Sequence, residues 1–141
     1  MWKYFKNIVF LGLVFTANSS ETVAQDIATL LASGSGDAEI LLTQNSLADN
    51  IIISGRKVRL FGDATQPIVI ENSSNAPLFT VVDGGHLVLD YVSLASRDAE
   101  TADVLIYVEN ASLSLGSCSF STQRRFAIYL RGGSLDMAEC A

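Results

Sequence analysis

The stretch that decides the fold is VVDGGHLVLDYVSL at residues 81–94, because nearly the same phrase returns twice farther along the chain. It recurs as YVENASLSLGSCSF at 107–120 and as YLRGGSLDMAEC at 129–140. Aligned on the central turn, these phrases are 26 and then 22 residues apart, and IIISGRKVRLFG at 51–62 fits as a copy 29 residues upstream. A repeat with a period in the twenties predicts a solenoid in which each copy is one coil.

Apolar side chains alternate with polar ones on both sides of the turn, which is the pattern of a strand with one buried face. After the turn, the apolar pairs are Val58/Leu60, Leu87/Leu89, Leu113/Leu115 and Leu135/Met137. Before the turn, the set expected to point inward is Leu78/Thr80/Val82, Val104/Ile106/Val108 and Phe126/Ile128/Leu130. A single copy cannot bury its apolar face alone, so we expect the copies to stack and share one core.

A short helix is predicted just before the first copy. Asp26 is a suitable N-cap, and Ile27, Leu30 and Leu31 lie on one helical face. Glycines at 34 and 36 end the helix, and a strand is expected at 39–42.

This opening carries a family resemblance. An amphipathic helix, then GSGDAEILL (34–42) and NIIISGRKVRLFGD (50–63), resembles the start of a right-handed parallel β-helix of the pectate-lyase-like superfamily. The resemblance implies an all-β domain over residues 25–141, with about four to five coils and a helix covering the N-terminal end. It says little about function, because the superfamily includes lyases, hydrolases, esterases, adhesins and non-catalytic binding modules.

Two other folds fit the repeat less well. Leucine-rich repeats have a similar period but need a consensus Asn or Cys and a Leu-x-x-Leu-x-Leu spacing, which these copies lack. An immunoglobulin-like sandwich would not place the same turn and the same alternation in every copy.

The first 24 residues have the pattern of a secretory signal peptide. Lys3 and Lys6 precede an apolar run at 8–17 that is too short to span a bilayer, and a polar segment with small residues follows. We expect cleavage after Ala24, with Ser19 as the second-best site and an uncleaved anchor as the alternative. The predicted location is outside the cytoplasm: secreted, periplasmic or on the cell surface.

Charge excludes several classes of partner. The whole chain carries a net charge of −6 at pH 7, and removal of residues 1–24 leaves seven basic and fourteen acidic side chains. Such an acidic protein is a poor match for nucleic acid or for an anionic membrane. No second apolar run approaches about 20 residues, so no membrane span is predicted after signal cleavage.

Catalytic constellations are not found in the sequence. The superfamily's lyases use several Asp around Ca²⁺ with a basic Arg or Lys, and its hydrolases use Asn-Thr-Asp, Asp-Asp and Gly-His-Gly, none of which occurs as a motif here. His86 shares its position with Lys57, Ser112 and Ser134, which predicts an exposed strand residue and no catalytic role. The sequence favours a non-catalytic module, with a fragment of a polysaccharide-degrading enzyme and a structural or adhesin segment as alternatives.

An outward apolar stripe is the predicted ligand-binding surface. If Val104, Ile106 and Val108 point inward, then Leu105 and Tyr107 point outward. The stripe consists of Ile52, Val81, Tyr107 and Tyr129, flanked by Phe79 and Leu105. An exposed apolar patch usually marks contact with a partner, here a polysaccharide or a surface protein. The alternative is that the loop 63–77 or another domain covers the stripe.

Two charged loops are weaker candidates. Arg124 and Arg125 can pair with the carboxylates of an acidic glycan, or they can simply keep a corner of the fold soluble. Asp98, Glu100 and Asp103 offer the oxygen ligands that Ca²⁺ prefers, with a solvated loop as the alternative. Calcium is the only cofactor that the sequence suggests.

The two cysteines share a position in adjacent copies. We expect Cys118 and Cys140 to point inward, either as a stacked pair of free thiols or as a disulfide, whose torsion is hard to meet between in-register parallel strands.

The last copy ends without a covering element. Nothing after SLDMAECA (134–141) resembles a helix or a polar closing loop, and solenoids normally need such a cap. This predicts either a domain that is incomplete at its C-terminal end or self-association end to end.

The first prediction concerns export. The mature protein should begin at Gln25, and N-terminal sequencing of protein recovered outside the cytoplasm checks this. Recovery of Met1 from such material would remove the export claim.

Overall fold

The computed structural model describes residues 25–32, 34–66, 68–72, 76–96, 104–121 and 126–141. In these ranges every ladder between named strands is parallel, and the single antiparallel bridge is an isolated pair at Asp63 and Gln66. The strands stack as a β-solenoid, which confirms the all-β prediction. Three complete coils lie between a partial coil at each end, and the expected four to five coils include the partial ones.

One helix, α1 (Ile27–Leu31), precedes most of the strands. The strands of the described ranges are β1 (Gln25–Asp26), β2 (Ala38–Leu41), β3 (Ser46–Leu47), β4 (Ile51–Ser54), β5 (Lys57–Phe61), β6 (Ile68–Glu71), β7 (Phe79–Val82), β8 (His86–Asp90), β9 (Val92–Ala95), β10 (Val104–Gly116), β11 (Ser119–Ser121) and β12 (Phe126–Ala138).

The strands form three walls. The order β1-β3-β6-β9-β11 makes one sheet. A second sheet has two walls, because the long strand β10 stacks on β7 with its first half and on β8 with its second half. β4, β7, β10 and β12 make the first of these walls, and β2, β5, β8, β10 and β12 make the other.

The helix closes the N-terminal end of the solenoid. Asp26 is its N-cap, as predicted, and a carboxylate oxygen of Asp26 accepts a hydrogen bond from the backbone N–H of Ala28 at 3.1 Å. Ile27, Leu30 and Leu31 are buried against the core. No helix within the described ranges is long and apolar enough to cross a membrane.

The core consists of columns of apolar side chains, with one residue from each coil. The column through the second wall runs Ala38, Val58, Leu87, Leu113, Leu135, and its neighbour runs Ile40, Leu60, Leu89, Leu115, Met137. Leu60, Leu87 and Leu89 have no exposed surface. Members of a column are about 4.8 Å apart along the axis, so each side chain packs on its equivalent in the next coil.

One turn differs in length from the others, and this changes the predicted register. Three residues, 83–85, separate Val82 from His86, whereas two residues occupy the same turn in the neighbouring coils. Val82 therefore pairs with Glu109, where the alignment of the sequence repeats had placed Asp83. A slip of one residue turns every side chain of a strand to the opposite face.

That slip overturns part of the predicted inward set. Thr80 and Val82 are half-exposed on the outside, whereas Phe79 and Val81 are fully buried. The apolar side chains of β7 still enter the core, but from the positions next to those expected.

Glycine is required at two positions in the turns that join the first wall to the second, where the backbones of neighbouring coils approach closely. A Cβ atom on Gly85 would overlap the carbonyl oxygen of Ile53 in the preceding coil. Gly133 has a φ of 118°, and a Cβ there would overlap the carbonyl oxygen of Ala111. At Gly85 and Gly133, backbone thus lies directly on backbone of the preceding coil, and a side chain at either position would force the coils apart.

The core columns generate a stability prediction. Leu87→Ala should lower the free energy of unfolding by about 2–5 kcal/mol, because it removes a fully buried side chain between two neighbours of its column. The matched control is Val88→Ala, one position along the same strand on the outer side, and it should cost clearly less. Urea denaturation followed by far-UV circular dichroism measures both values, and equal losses would argue against the inward column.

Candidate functional site

The outer surface of the first wall carries the candidate site, which we call the tyrosine face. Its central row is one outward residue from each coil: Ile52, Thr80, Tyr107 and Tyr129. The row beside it is Ser54, Val82, Glu109 and Arg131. Ile52 is 61% exposed and Tyr129 is 42% exposed, so the described part of the segment 63–77, which contains β6, does not cover these ends of the row.

The structure confirms part of the predicted stripe and corrects the rest. Ile52, Tyr107 and Tyr129 lie in one outward row, as expected from their register. Phe79 and Leu105 do not flank it, because both side chains are fully buried. Val81 is also buried, and Thr80 takes its place in the row, which follows from the extra residue in the turn.

Leu105 has a separate reason for its burial. It lies at the start of β10, where three consecutive side chains, Val104 to Ile106, are buried. Its carbonyl oxygen accepts a hydrogen bond from the backbone N–H of Leu78, another fully buried residue. The alternation of inward and outward side chains in β10 therefore begins only after Ile106, which is why Leu105 does not point outward.

The two tyrosine rings stack on each other. Their centroids are 5.5 Å apart and the ring planes differ by 9°. One face of each ring is thus occupied by the other tyrosine, and Tyr107 has Thr80 as its neighbour on the opposite side. The second face of Tyr129 points to the open edge of the solenoid, where the described residues offer it no neighbouring strand. This face is the accessible aromatic surface of the site.

Charged groups stand next to the rings. Tyr107 Oη donates a hydrogen bond to Glu109 Oε2 at 2.7 Å, which holds the Tyr107 ring in place. This bond raises the pKa of Tyr107, because the neutral hydroxyl is the form that donates to the carboxylate. Arg131 lies beside Glu109 in the next coil. The face therefore combines an aromatic surface with a hydrogen-bond acceptor and a cation.

A second polar cluster lies on the outer surface of the other wall, and the sequence reading did not find it. Arg59 donates to Glu39 at 2.6 Å and to Asp90 at 2.9 Å, and its guanidinium carbon lies 4.3 Å from the centre of the Phe61 ring. Partial burial lowers the pKa of Arg59, but the hydrogen bonds to Asp90 and Glu39 outweigh it and leave the pKa raised. The three charged residues come from three coils, and Asp90 lies in a different row from Glu39 and Arg59, so their contact depends on side-chain length and direction as well as on register.

His86 lies on the same wall as this cluster. Its strand neighbours are Lys57 and Ser112, as predicted, and it is half-buried. Its Nε2 lies 2.9 Å from the hydroxyl oxygen of Ser114, a contact that the sequence did not suggest. Burial, together with the charge of Lys57, lowers the pKa of His86, which favours the neutral ring at pH 7.

Serine hydroxyls continue the hydrogen bonding between coils. Ser134 donates to Ser112 at 2.9 Å, and Ser119 donates to Ser93 at the same distance. Bonds of this kind between in-register neighbours stabilise the outer surface of a sheet. The His86–Ser114 contact differs from them, because the in-register neighbour of His86 is Ser112.

Several predicted site residues lie outside the described ranges. These are the calcium candidates Asp98, Glu100 and Asp103, and the arginines Arg124 and Arg125. Within the described ranges, no cluster of three or more His, Cys, Asp or Glu side chains has the geometry to hold a metal ion.

The cysteines stack as free thiols in the described structure. Backbone hydrogen bonds join the two segments, with Ala141 N–H donating to Cys118 C=O at 3.0 Å, and each thiol donates to a carbonyl of the adjoining coil: Leu89 for Cys118 and Leu115 for Cys140. Burial raises the pKa of the Cys118 thiol to about 11. Cys140 is partly exposed, because it belongs to the last partial coil.

Comparisons with models of known protein families, with curated proteins and with solved structures returned no match for this chain.

The thiols provide a prediction that is independent of any ligand. At pH 8 the Cys118 thiol should stay protonated and unreactive toward Ellman's reagent, because its pKa is about 11 and its side chain is buried. The native protein should release at most one equivalent of thiolate, and the denatured protein should release two. As the matched control, native Cys140→Ser should release none.

A disulfide would give a different result. The unreduced protein would then have no reactive thiol even after denaturation, and its mass would rise by two hydrogens on reduction. Either observation would contradict the free-thiol state.

Proposed function

We propose that this protein is an exported, non-catalytic β-solenoid module that binds a glycan through the tyrosine face. The observation that carries the proposal is the open face of the Tyr129 ring, with Arg131 and Glu109 standing beside it on the same side of the wall. An aromatic ring presents an apolar face, and the hydroxyl-rich edge of a sugar ring needs hydrogen-bonding groups at its side. The tyrosine face supplies both.

The contacts of the face suggest how a sugar would bind. A pyranose ring would lie against the open face of Tyr129, since the inner face is occupied by Tyr107. Arg131 would donate to sugar hydroxyls, and Glu109 would accept from them while it keeps its bond to Tyr107. Tyr107 is held by its hydrogen bond to Glu109 and by the stacked ring of Tyr129. The two rings are therefore ordered before a ligand binds, which lowers the entropy cost of binding.

The charge of the protein narrows the class of glycan. A net charge of −6 opposes the approach of a polyanion, whereas a neutral polysaccharide meets no such barrier. We therefore favour a neutral glycan. A surface protein that bears the glycan, or that packs on the face directly, is the alternative partner.

The location of the protein outside the cytoplasm and its family are part of the same proposal. The signal pattern in residues 1–24 supports a secreted, periplasmic or cell-surface location. The parallel coils and the N-terminal capping helix support membership of the right-handed β-helices of the pectate-lyase-like superfamily.

Two other functions compete with this one. A piece of a polysaccharide-degrading enzyme would need catalytic carboxylates, and three of the carboxylates on the described walls are already engaged: Glu39 and Asp90 bind Arg59, and Glu109 binds Tyr107. A structural or adhesin segment is favoured by the Tyr107–Tyr129 stack itself, because stacked rings stabilise neighbouring coils whether or not a ligand is present.

The tyrosine face gives a binding prediction. Tyr129→Ala should weaken binding to a glycan selected on an array by about tenfold or more, because truncating an aromatic anchor typically costs more than 1 kcal/mol of binding energy. The matched control is Tyr91→Ala, which removes an equally exposed ring (44%) that lies off the tyrosine face. Isothermal titration calorimetry measures both variants.

The competing functions predict other outcomes. A blank glycan array, with Tyr129→Ala changing only the melting temperature, would favour the structural role. Calcium-dependent formation of unsaturated product from polygalacturonate would favour the enzyme. Equal loss of binding in Tyr91→Ala and Tyr129→Ala would place the glycan elsewhere.

A further inference from the structure

A cleft lies at the outer corner between the second wall and the sheet of β1, β3, β6, β9 and β11. Its volume is about 150 Å³, and it is open to solvent. The aromatic and polar side chains that line it come from three successive coils: Asp63, Tyr91, Ser93, Ser117 and Ser119. No basic side chain of the described ranges lines the cleft, and it shares no residue with the tyrosine face.

Tyr91 forms the middle of the cleft. It is the single residue between β8 and β9, and its φ is 55°, a value that bulky residues rarely adopt. Its backbone N–H donates to the carbonyl oxygen of Gly116 at 3.0 Å, which joins the corner to the next coil. The residue is 44% exposed, so an aromatic surface is available to a ligand in the cleft.

Asp63 supplies the charge of the cleft from the rim above Tyr91. Residues 63–67 separate Gly62 from β6, whereas β9 begins directly after Tyr91, so the described part of this insertion overhangs the corner. Oδ1 of Asp63 accepts hydrogen bonds from the backbone N–H and the hydroxyl of Thr65, each at 2.9 Å. These bonds lower the pKa of Asp63, so the carboxylate is ionised at pH 7. Oδ2 accepts no hydrogen bond from the described residues and is available to a ligand.

The hydroxyl groups on the other side of the cleft are arranged as acceptors. Ser117 Oγ donates to Glu139 Oε2 at 3.2 Å, and Ser119 Oγ donates to Ser93 Oγ at 2.9 Å. A hydroxyl has one hydrogen, so the oxygens of Ser117 and Ser119 keep only lone pairs for a ligand. The cleft therefore offers acceptors and a negative charge, which favour a cationic donor and oppose an anion.

We propose that this cleft binds a primary alkylammonium group, such as the end of a lysine side chain of a partner protein. The ammonium group would donate to Asp63 Oδ2 and to the hydroxyl oxygens of Ser117 and Ser119. Its position beside the Tyr91 ring adds a cation–π attraction, and the methylene stem would lie along the ring. The cleft is separate from the tyrosine face, so this inference does not rest on the glycan proposal.

The size of the cleft and the charge of the protein narrow the class of ligand. At roughly 30 Å³ per water molecule, the cleft holds about five waters, which suits a slender alkyl stem better than a sugar ring. A quaternary ammonium group has no N–H to donate, so it would leave the oxygen acceptors unpaired. The net charge of −6 attracts a basic partner over longer distances.

An NMR titration of the purified, ¹⁵N-labelled protein with Nα-acetyl-lysine amide tests the proposal. The amide signals of residues that line the cleft should shift, and Nα,Nε-diacetyl-lysine amide, which keeps the stem but not the charge, should bind at least about tenfold more weakly. Asp63→Asn should weaken binding by about tenfold or more, because the new amide oxygen can still accept from Thr65 but carries no charge. Tyr91→Ala should weaken it by about threefold or more.

Matched controls separate this site from general charge effects. Asp83→Asn makes the same change on an exposed turn between the first two walls, and Tyr129→Ala removes a ring of the tyrosine face. Both should bind the lysine derivative as the wild-type protein does, whether or not the tyrosine face binds a glycan. Circular dichroism checks that each variant folds, and if Tyr91→Ala does not, Asp63→Asn against Asp83→Asn decides.

Three outcomes would each overturn the proposal. The first is equal binding of the acetylated and the free lysine derivative. The second is unchanged binding in Asp63→Asn. The third is binding of glucosamine without binding of the lysine derivative, which would assign the cleft to an amino sugar.

Discussion

The in-register stacking of equivalent side chains is the constraint on which the rest of this structure depends. Each coil is too thin to bury its own apolar residues, so Leu87 or Leu113 is shielded only because the coils above and below place a similar side chain in the same position. The same register builds the outer surface, where it brings Tyr107 against Tyr129 and Arg59 between Glu39 and Asp90. The same register of parallel strands therefore positions both the core on the inside of the walls and the candidate site on the outside.

Much of the fold could be predicted from the sequence, because repeat and alternation are local patterns that survive without an alignment. The repeat predicted the coils, Asp26 and its apolar neighbours predicted the capping helix, and the strands after the turn were placed in the correct register. The strand before the turn was misplaced by one residue. Asp83-Gly84-Gly85 and Asn110-Ala111 look like equivalent turns in sequence, and only the packing of β7 on β10 decides which has the extra residue.

The candidate site was predicted in part for the same reason. Tyr107 and Tyr129 lie in strands that carry no length change relative to each other, so their stacking followed from their spacing. Phe79 and Leu105 were misassigned by the extra turn residue and by the buried corner at the start of β10. Contacts between different rows, such as His86 with Ser114, depend on side-chain length and direction, which periodicity does not describe.

The most direct test of the in-register stacking is a nuclear Overhauser experiment on protein with labelled methyl groups. In-register parallel stacking predicts that Leu113 contacts both Leu87 and Leu135, and that Val108 contacts Val81 and Leu130, since members of each column are about 4.8 Å apart along the axis. These contacts join residues more than twenty positions apart. Their absence, together with close Hα–Hα contacts typical of antiparallel strand pairs in the same segments, would contradict the solenoid and every site derived from its register.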